Sequence, residues 1–241
     1  TGYYRVYDLG NRNPFNENRA GYFHKSVGGY HAAKLSRFED VKLKWLETGN
    51  MGVLNAFNTR YVIVNQEGVG LVPQFNAEAY GNAWLVNNFI LVPDARVEID
   101  TIGSPSISLR QTAVIDTRFA SFVEGKQFVV DSSASIRLTA YHPEKLTYDF
   151  NASSEQLAVF SEVYYDKGWK AYVDGNEVPH FRADYLFRAL VIPAGKHSVE
   201  FRFEPETFYR GEKISLAASV LLLLSSLSAL VLPRLRKKKT A

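Results

Sequence analysis

Cysteine is absent from this chain of 241 residues, and methionine occurs once. The first absence excludes disulfides, thiolate-bound zinc and a thiol nucleophile. It is compatible with a place outside the cytoplasm without establishing one. Several catalytic signatures are also lacking. There is no G-x-S-x-G, no P-loop and no H-E-x-x-H. Gly68-Val69-Gly70 is too short for a nucleotide fingerprint. Acidic residues are scattered, so no carboxylate pair for glycoside hydrolysis can be assigned. No basic patch interleaved with aromatics occurs outside the C-terminus, which removes the signal of a nucleic-acid partner.

Charge is missing from one long stretch. Ile214–Leu232 reads ISLAASVLLLLSSLSALVL, 19 residues without an ionisable side chain. At about 1.5 Å per residue a helix of this length spans roughly 28 Å, close to a bilayer core. Its leucines, isoleucine and valines each favour insertion by about 0.3–0.6 kcal/mol. A buried helix of a soluble protein usually keeps a polar stripe, and this segment has none. Arg234, Arg236, Lys237, Lys238 and Lys239 follow directly. Such a cluster marks the cytoplasmic end of a span. Phe208 and Tyr209 stand on the other side, suited to the interfacial belt. The expectation is a membrane helix at residues 208–233, a basic cytoplasmic tail at 234–241 and an extracytoplasmic region at 1–213.

Removing the tail changes the charge account. The formal net charge is +3 and the five tail cations supply +5, so the remainder carries −2. The tail therefore accounts for the high isoelectric point. An outward-facing domain needs an export signal, yet the sequence opens TGYYRVYDLG without an apolar leader. We therefore expect a fragment of a longer protein with further membrane helices upstream.

Aromatic residues make up 14% of the chain, which suits β structure. The expected fold class is α+β: an N-terminal mixed α/β unit (1–127), an antiparallel β-sandwich (128–207) and one C-terminal transmembrane helix. In the first unit the pattern predicts strands at Tyr4–Leu9, Tyr61–Asn65 (central), Ala83–Val92 (bulged at Asn87-Asn88) and Thr112–Ile115. It also predicts a helix from about Tyr30 to Leu46, and a short helix to Ile99 capped by Asp94. In the second unit seven strands are expected: Ser135–Tyr141, Lys145–Asn151, Leu157–Val163, Lys170–Val173, Asn176–Pro179, Leu186–Ile192 and Lys196–Phe203. Asp174-Gly175 is a two-residue hairpin signal, and Pro193-Ala194-Gly195 a second turn.

Val163–Pro205, with YYDKGWKAYVDGNEVPHFRADYLFRALVIPAGKHSVEFRFEP at its heart, resembles the C-terminal signature of bacterial YfhO-type membrane proteins. Asn13–Asp40, Leu54–Val64 and Glu78–Val86 resemble the extracytoplasmic region of the same family. The resemblance implies a multi-pass, GT-C-like glycosyltransferase. Such enzymes take a sugar from a polyprenyl-phosphate carrier and pass it to a cell-envelope acceptor. It also implies that the catalytic carboxylate lies in an early extracytoplasmic loop, outside this sequence. The catalytic residues of this chain are therefore unknown.

Two groups of candidate substrate-binding residues stand out. The first is Tyr22, His24, Lys25, Tyr30, His31 and Lys34, with Asn16 and Arg19 upstream, around Gly28-Gly29. Backbone N–H groups at a following helix start would suit an anionic group. The bland alternative is a solvated loop. His24 and His31 stand seven positions apart across a Gly-Gly pair. No metal site is therefore expected, and no cofactor. The second group contains Trp169, Arg182 and Tyr185, with Tyr165, Asp174, Asp184 and Arg188. Aromatic faces there would stack on sugar rings. The favoured alternative packs Trp169 and Tyr172 in the core and pairs Arg182 and Arg188 with Asp184 or Glu177 at the surface.

Overall fold

The computed structural model describes residues 3–10 and 13–238, and the side chains among these up to residue 229. Lys239 lies outside the described residues. The N-terminal layer begins with strand β1 (Arg5–Asp8), followed by helices α1 (Arg19–Phe23) and α2 (Ser36–Val41). A π-helical turn, Lys42–Leu46, extends α2, and α3 (Met51–Ala56) follows. Strands β2 (Thr59–Gln66) and β3 (Gly70–Phe75) complete a sheet in the order β1-β2-β3. The expected central place of Tyr61–Asn65 is thus met. β3 was not anticipated. Its Pro73 donates no backbone hydrogen bond and is tolerated because β3 is an edge strand.

Residues 83–92 form two strands rather than one bulged strand. β4 (Ala83–Val86) joins the sandwich, whereas β5 (Asn88–Val92) pairs in parallel with β6 (Thr112–Asp116). The break falls where the Asn87 and Asn88 N–H groups both donate to Gln111 O. Between β5 and β6 runs α4 (Ala95–Ile102). Asp94 caps α4, accepting from the Arg96 and Val97 N–H groups at 2.9 Å each.

The sandwich has one five-stranded and one four-stranded sheet. β7 (Ser135–His142), β8 (Lys145–Ala152), β10 (Trp169–Val173), β11 (Asn176–Val178) and β14 (Gly195–Phe203) form the larger, in the order β11-β10-β14-β8-β7. The smaller runs β12 (Phe181–Ala183), β13 (Phe187–Ile192), β9 (Gln156–Val163), β4. Asp174 and Gly175 both take positive φ, 51° and 81°, which matches the right-handed twist of the β10–β11 hairpin.

The core lies in two sheets of contact. Between the β-sheets, Tyr148, Phe160 and Phe201 meet edge to face, with centroids 5.0 and 4.8 Å apart. On its other face the four-stranded sheet carries Leu157, Val159, Phe187 and Ala189 into a second cluster. That cluster includes Phe57 and Trp84, whose rings lie 5.0 and 6.0 Å from that of Phe187. The result is three stacked layers, with the four-stranded sheet in the middle. Its strands β9 and β13 are buried on both faces, so they read as continuous apolar runs. β14 instead alternates, with Val199 and Phe201 inside.

The C-terminal helix α5 spans Glu206–Lys238. Over Glu206–Ala229 its mean hydropathy is 1.4, and none of that window is buried inside the protein. By length and composition it is a candidate transmembrane helix. An exposed leucine-rich surface of this size calls for lipid or other apolar helices around it.

Candidate functional site

The expected helix over Tyr30–Leu46 starts only at Ser36, and residues 30–35 form a bent strap instead. The strap is held by side-chain bonds that a helix would not make. The Tyr30 N–H donates to Asn18 Oδ1 at 2.8 Å, and the Ala33 N–H donates to His31 Nδ1 at 3.1 Å. Gly28 packs so tightly on Pro14 that a Cβ would lie 2.3 Å from the Pro14 carbonyl oxygen. Gly29 takes φ of 114°, open to glycine without strain. The Gly28 N–H donates to Ser26 Oγ and the Gly29 N–H to Pro14 O. These N–H groups are therefore engaged within the chain.

The strap roofs a cleft of about 390 Å³. Tyr30, His31 and Lys34 stand in its wall, with Gly28 and Gly29. Val27, Leu35, Phe38, Phe57 and Val163 supply an apolar floor. No carboxylate stands among the described residues of the wall. Arg5 also borders the cleft, but its guanidinium is spent on Phe57 O, Ser161 and Glu162. Lys34 pairs with Glu39 at 3.4 Å, and its ammonium lies 5.6 Å from the Tyr30 ring centroid.

The rest of the first group is placed elsewhere. Arg19 and His24 border a different cavity, of about 360 Å³, beside Tyr4, Asp8, Phe23 and Tyr61. Tyr22 is 83% exposed and Asn16 is also at the surface. The Lys25 ammonium lies over the rings of Tyr3 and Tyr141, and burial holds its pKa below the ordinary lysine value.

The second group divides as well. Trp169 is half-buried, with the Arg188 guanidinium 3.9 Å from its ring centroid and Phe203 alongside. Arg188 is buried rather than at the surface, and burial lowers its pKa to about 10. Arg182 is buried too, and its partners are not Asp184 or Glu177. Its Nη2 donates to Glu98 at 2.8 Å and to Asp116 at 3.3 Å. These carboxylates come from α4 and the end of β6, far away in the chain. Burial pushes the Glu98 carboxyl up, against the opposing pull of Arg182. Asp116 ends below the usual carboxylate range; burial raises it, but hydrogen bonds from Arg118 and the charges of Arg118 and Arg182 outweigh that.

Asp184 and Tyr185 form the turn between β12 and β13, both at positive φ, 49° and 70°. Successive left-handed residues without glycine are costly, and this turn is held from several sides. The Asp184 N–H donates to Val114 O, and Asp184 Oδ1 accepts from the Val114 N–H at 2.7 Å. The Tyr185 N–H donates to Glu98 Oε1 at 3.0 Å. The Tyr185 hydroxyl donates to Asp40 at 2.7 Å, and the Arg37 guanidinium stacks 4.5 Å from its ring. Burial drives the Asp184 carboxyl pKa well above its ordinary value. The turn thus ties α2, α4 and β6 to the middle sheet. Glu98, Asp116, Asp40 and Arg37 were not picked out from the sequence. Among the described residues no group of three or more His, Asp or Glu is arranged to hold a metal ion.

The fold and the helix define a membrane-associated domain: a β-sandwich under an α/β layer, followed by one candidate span. Residues 111–215 match the family described as bacterial membrane protein YfhO. The matched stretch runs from β6 through the sandwich into α5 and includes Trp169, Arg182 and Tyr185. The strap precedes it, and Val163 is the one residue of the cleft's described wall that falls within it. No curated protein and no solved structure gives a significant match.

Proposed function

We propose that this chain is the extracytoplasmic C-terminal region of a GT-C-like membrane glycosyltransferase. In this reading α5 places residues 1–213 outside the cytoplasm and the basic tail inside. The folded region caps a membrane-embedded active site and helps to position a polyprenyl-phosphate-linked sugar or the envelope glycan that receives it. The reaction's carboxylate is supplied by another part of the enzyme. The observation that carries the reading is the cleft beneath the strap. Tyr30, His31 and Lys34 line it over an apolar floor, with no carboxylate among its described wall residues. That combination suits an amphiphilic ligand with an anionic or hydroxylated head.

The test uses the full-length protein in cells. His31→Ala combined with Lys34→Ala is expected to reduce envelope glycosylation at least tenfold while leaving the amount of protein in the membrane unchanged. Full glycosylation in the double variant would defeat the reading. The other reading, a carbohydrate-binding or purely structural module without catalysis, predicts the opposite pattern. Trp169 was its natural stacking residue, and the Arg188 guanidinium already occupies one face of that ring.

A further inference from the structure

Three arginines from distant parts of the chain line one small cavity of about 250 Å³. Arg37 comes from α2, Arg118 from the turn after β6, and Arg182 from β12. Ser36, Tyr164 and Tyr165 add hydroxyl groups to the wall, and Asp166 adds the one carboxylate among its described residues. The carboxylates that neutralise the arginines, Glu98 and Asp116, are not part of that wall. Arg182 meets both of them through a single nitrogen, Nη2. Its Nε is buried without a hydrogen-bond partner. Arg37 reaches Glu98 only at 3.8 Å and donates one long bond, 3.3 Å, to Tyr185 O. A guanidinium carries five donors and no acceptor. The wall therefore holds more donors than its own acceptors use. The Arg182 side chain is only 5% exposed, so its charge is poorly screened by water.

We propose that this cavity binds a phosphoryl group. Planar guanidinium groups match phosphate oxygens in pairs, and three of them facing one cavity suit a dianion with several acceptor oxygens. The ligand is either the headgroup of a phospholipid or a soluble phosphate ester. The inference rests on this wall alone and does not require the transferase reading. The strap cleft shares only Leu35 and Val163 with this cavity.

The test uses the full chain in micelles of dodecyl maltoside, a detergent without phosphorus, with inorganic phosphate as the probe. Phosphorus NMR line broadening is expected to show saturable binding that weakens as salt rises. Arg118 is the variant of choice because its side chain is 56% exposed, with its Nε paired to Asp116 at 3.0 Å. Arg118→Gln is expected to weaken binding about tenfold, the usual scale for one charge-assisted hydrogen-bonding group. Arg118→Lys is expected to recover part of the loss. Should Arg118→Gln fail to fold by circular dichroism, Ser36→Asp adds a negative charge to the exposed wall and is expected to abolish binding. Repeating the titration with phosphatidic acid added to the micelles separates the sources. Loss of free-phosphate binding identifies a lipid headgroup, and retention identifies a soluble ester. Absence of saturable phosphate binding in the millimolar range overturns the proposal, as does undiminished binding in a folded Arg118→Gln or Ser36→Asp protein. Neither result touches the glycosylation experiment on His31 and Lys34.

Discussion

The two sheets of the sandwich are built from similar residues and do different work. The five-stranded sheet has one buried face. Its other face carries ion pairs such as Lys145–Glu200 and Lys170–Glu177. The four-stranded sheet is covered on both sides, by its partner sheet and by the N-terminal layer. The difference shows where this protein concentrates its stability and its chemistry. The solvated sheet stands alone as an amphipathic surface, whereas the middle sheet depends on residues far away in the chain. Arg182 with Glu98 and Asp116, the Asp184–Tyr185 turn, the strap cleft and the arginine cavity all lie around that middle layer.

The largest expected effect tests that dependence. Arg182→Met leaves Glu98 and Asp116 without their shared cation, and removing one partner of a buried pair typically costs about 3–5 kcal/mol. Denaturant unfolding measures it. A loss below about 1 kcal/mol would mean that the network is not a structural tie. Phe187→Ala comes next. Phe187 is almost fully buried and touches both Phe57 and Trp84 between two layers. A cavity of this kind costs about 3–4 kcal/mol. Unfolding in two separate steps, with only the first shifted, would show that the layers do not share one cooperative core.

A third prediction concerns pH. His180 lies between Tyr164 and Phe201, and burial lowers its pKa to about 4. The unfolded chain binds a proton there below about pH 6.5, whereas the folded chain does so only near 4. Stability is therefore present above 6.5 and is lost as pH falls towards 4. His180→Phe is expected to remove about 2 kcal/mol of that loss, after allowing for partial exposure. Melting temperatures across pH 4–7 (the window set by these two values) report it. Identical slopes in both proteins would refute it. Asp184 gives the opposite sign. Burial holds its carboxyl pKa well above the value of about 3.8 in the unfolded chain, so the unfolded chain gives up its proton first and stability falls as pH rises above that value. Asp184→Asn is expected to flatten this alkaline side. The smallest effect is on the solvated sheet. Arg202→Ala, removing a surface pair with Glu200, is expected to change stability by less than about 0.5 kcal/mol. A loss comparable with that of Arg182→Met would erase the contrast between the sheets.

The strands of the sandwich were legible almost residue by residue, because hairpin turns and alternation are local signals. β12 escaped because it is three residues long, has arginine at its centre and ends in a turn without glycine. The helix over 30–46 was placed too early. Leu35 and Phe38 have helical spacing, yet Leu35 lines the cleft from a bent strap rather than a helix. The Gly-Gly loop was expected to lead into a helix start with N–H groups open to an anion, but the Gly28 and Gly29 N–H groups serve Ser26 and Pro14. Of the residues singled out for binding, Tyr30, His31 and Lys34 share one cleft, Arg19 and His24 border another, and Tyr165 and Arg182 line the arginine cavity.

What the residues settled by themselves was the run of short strands, the Asp174-Gly175 turn, the Asp94 cap and the apolar helix. Each depends on neighbours within a few positions, where backbone conformation and hydropathy act directly. Only the tertiary structure decided that β4 leaves its own unit to pair with β9. Only it decided that Arg182 meets Glu98 across 84 residues and Asp116 across 66. Such meetings follow from how three layers stack to bury both faces of one sheet. No local pattern records which carboxylate will be waiting when they do.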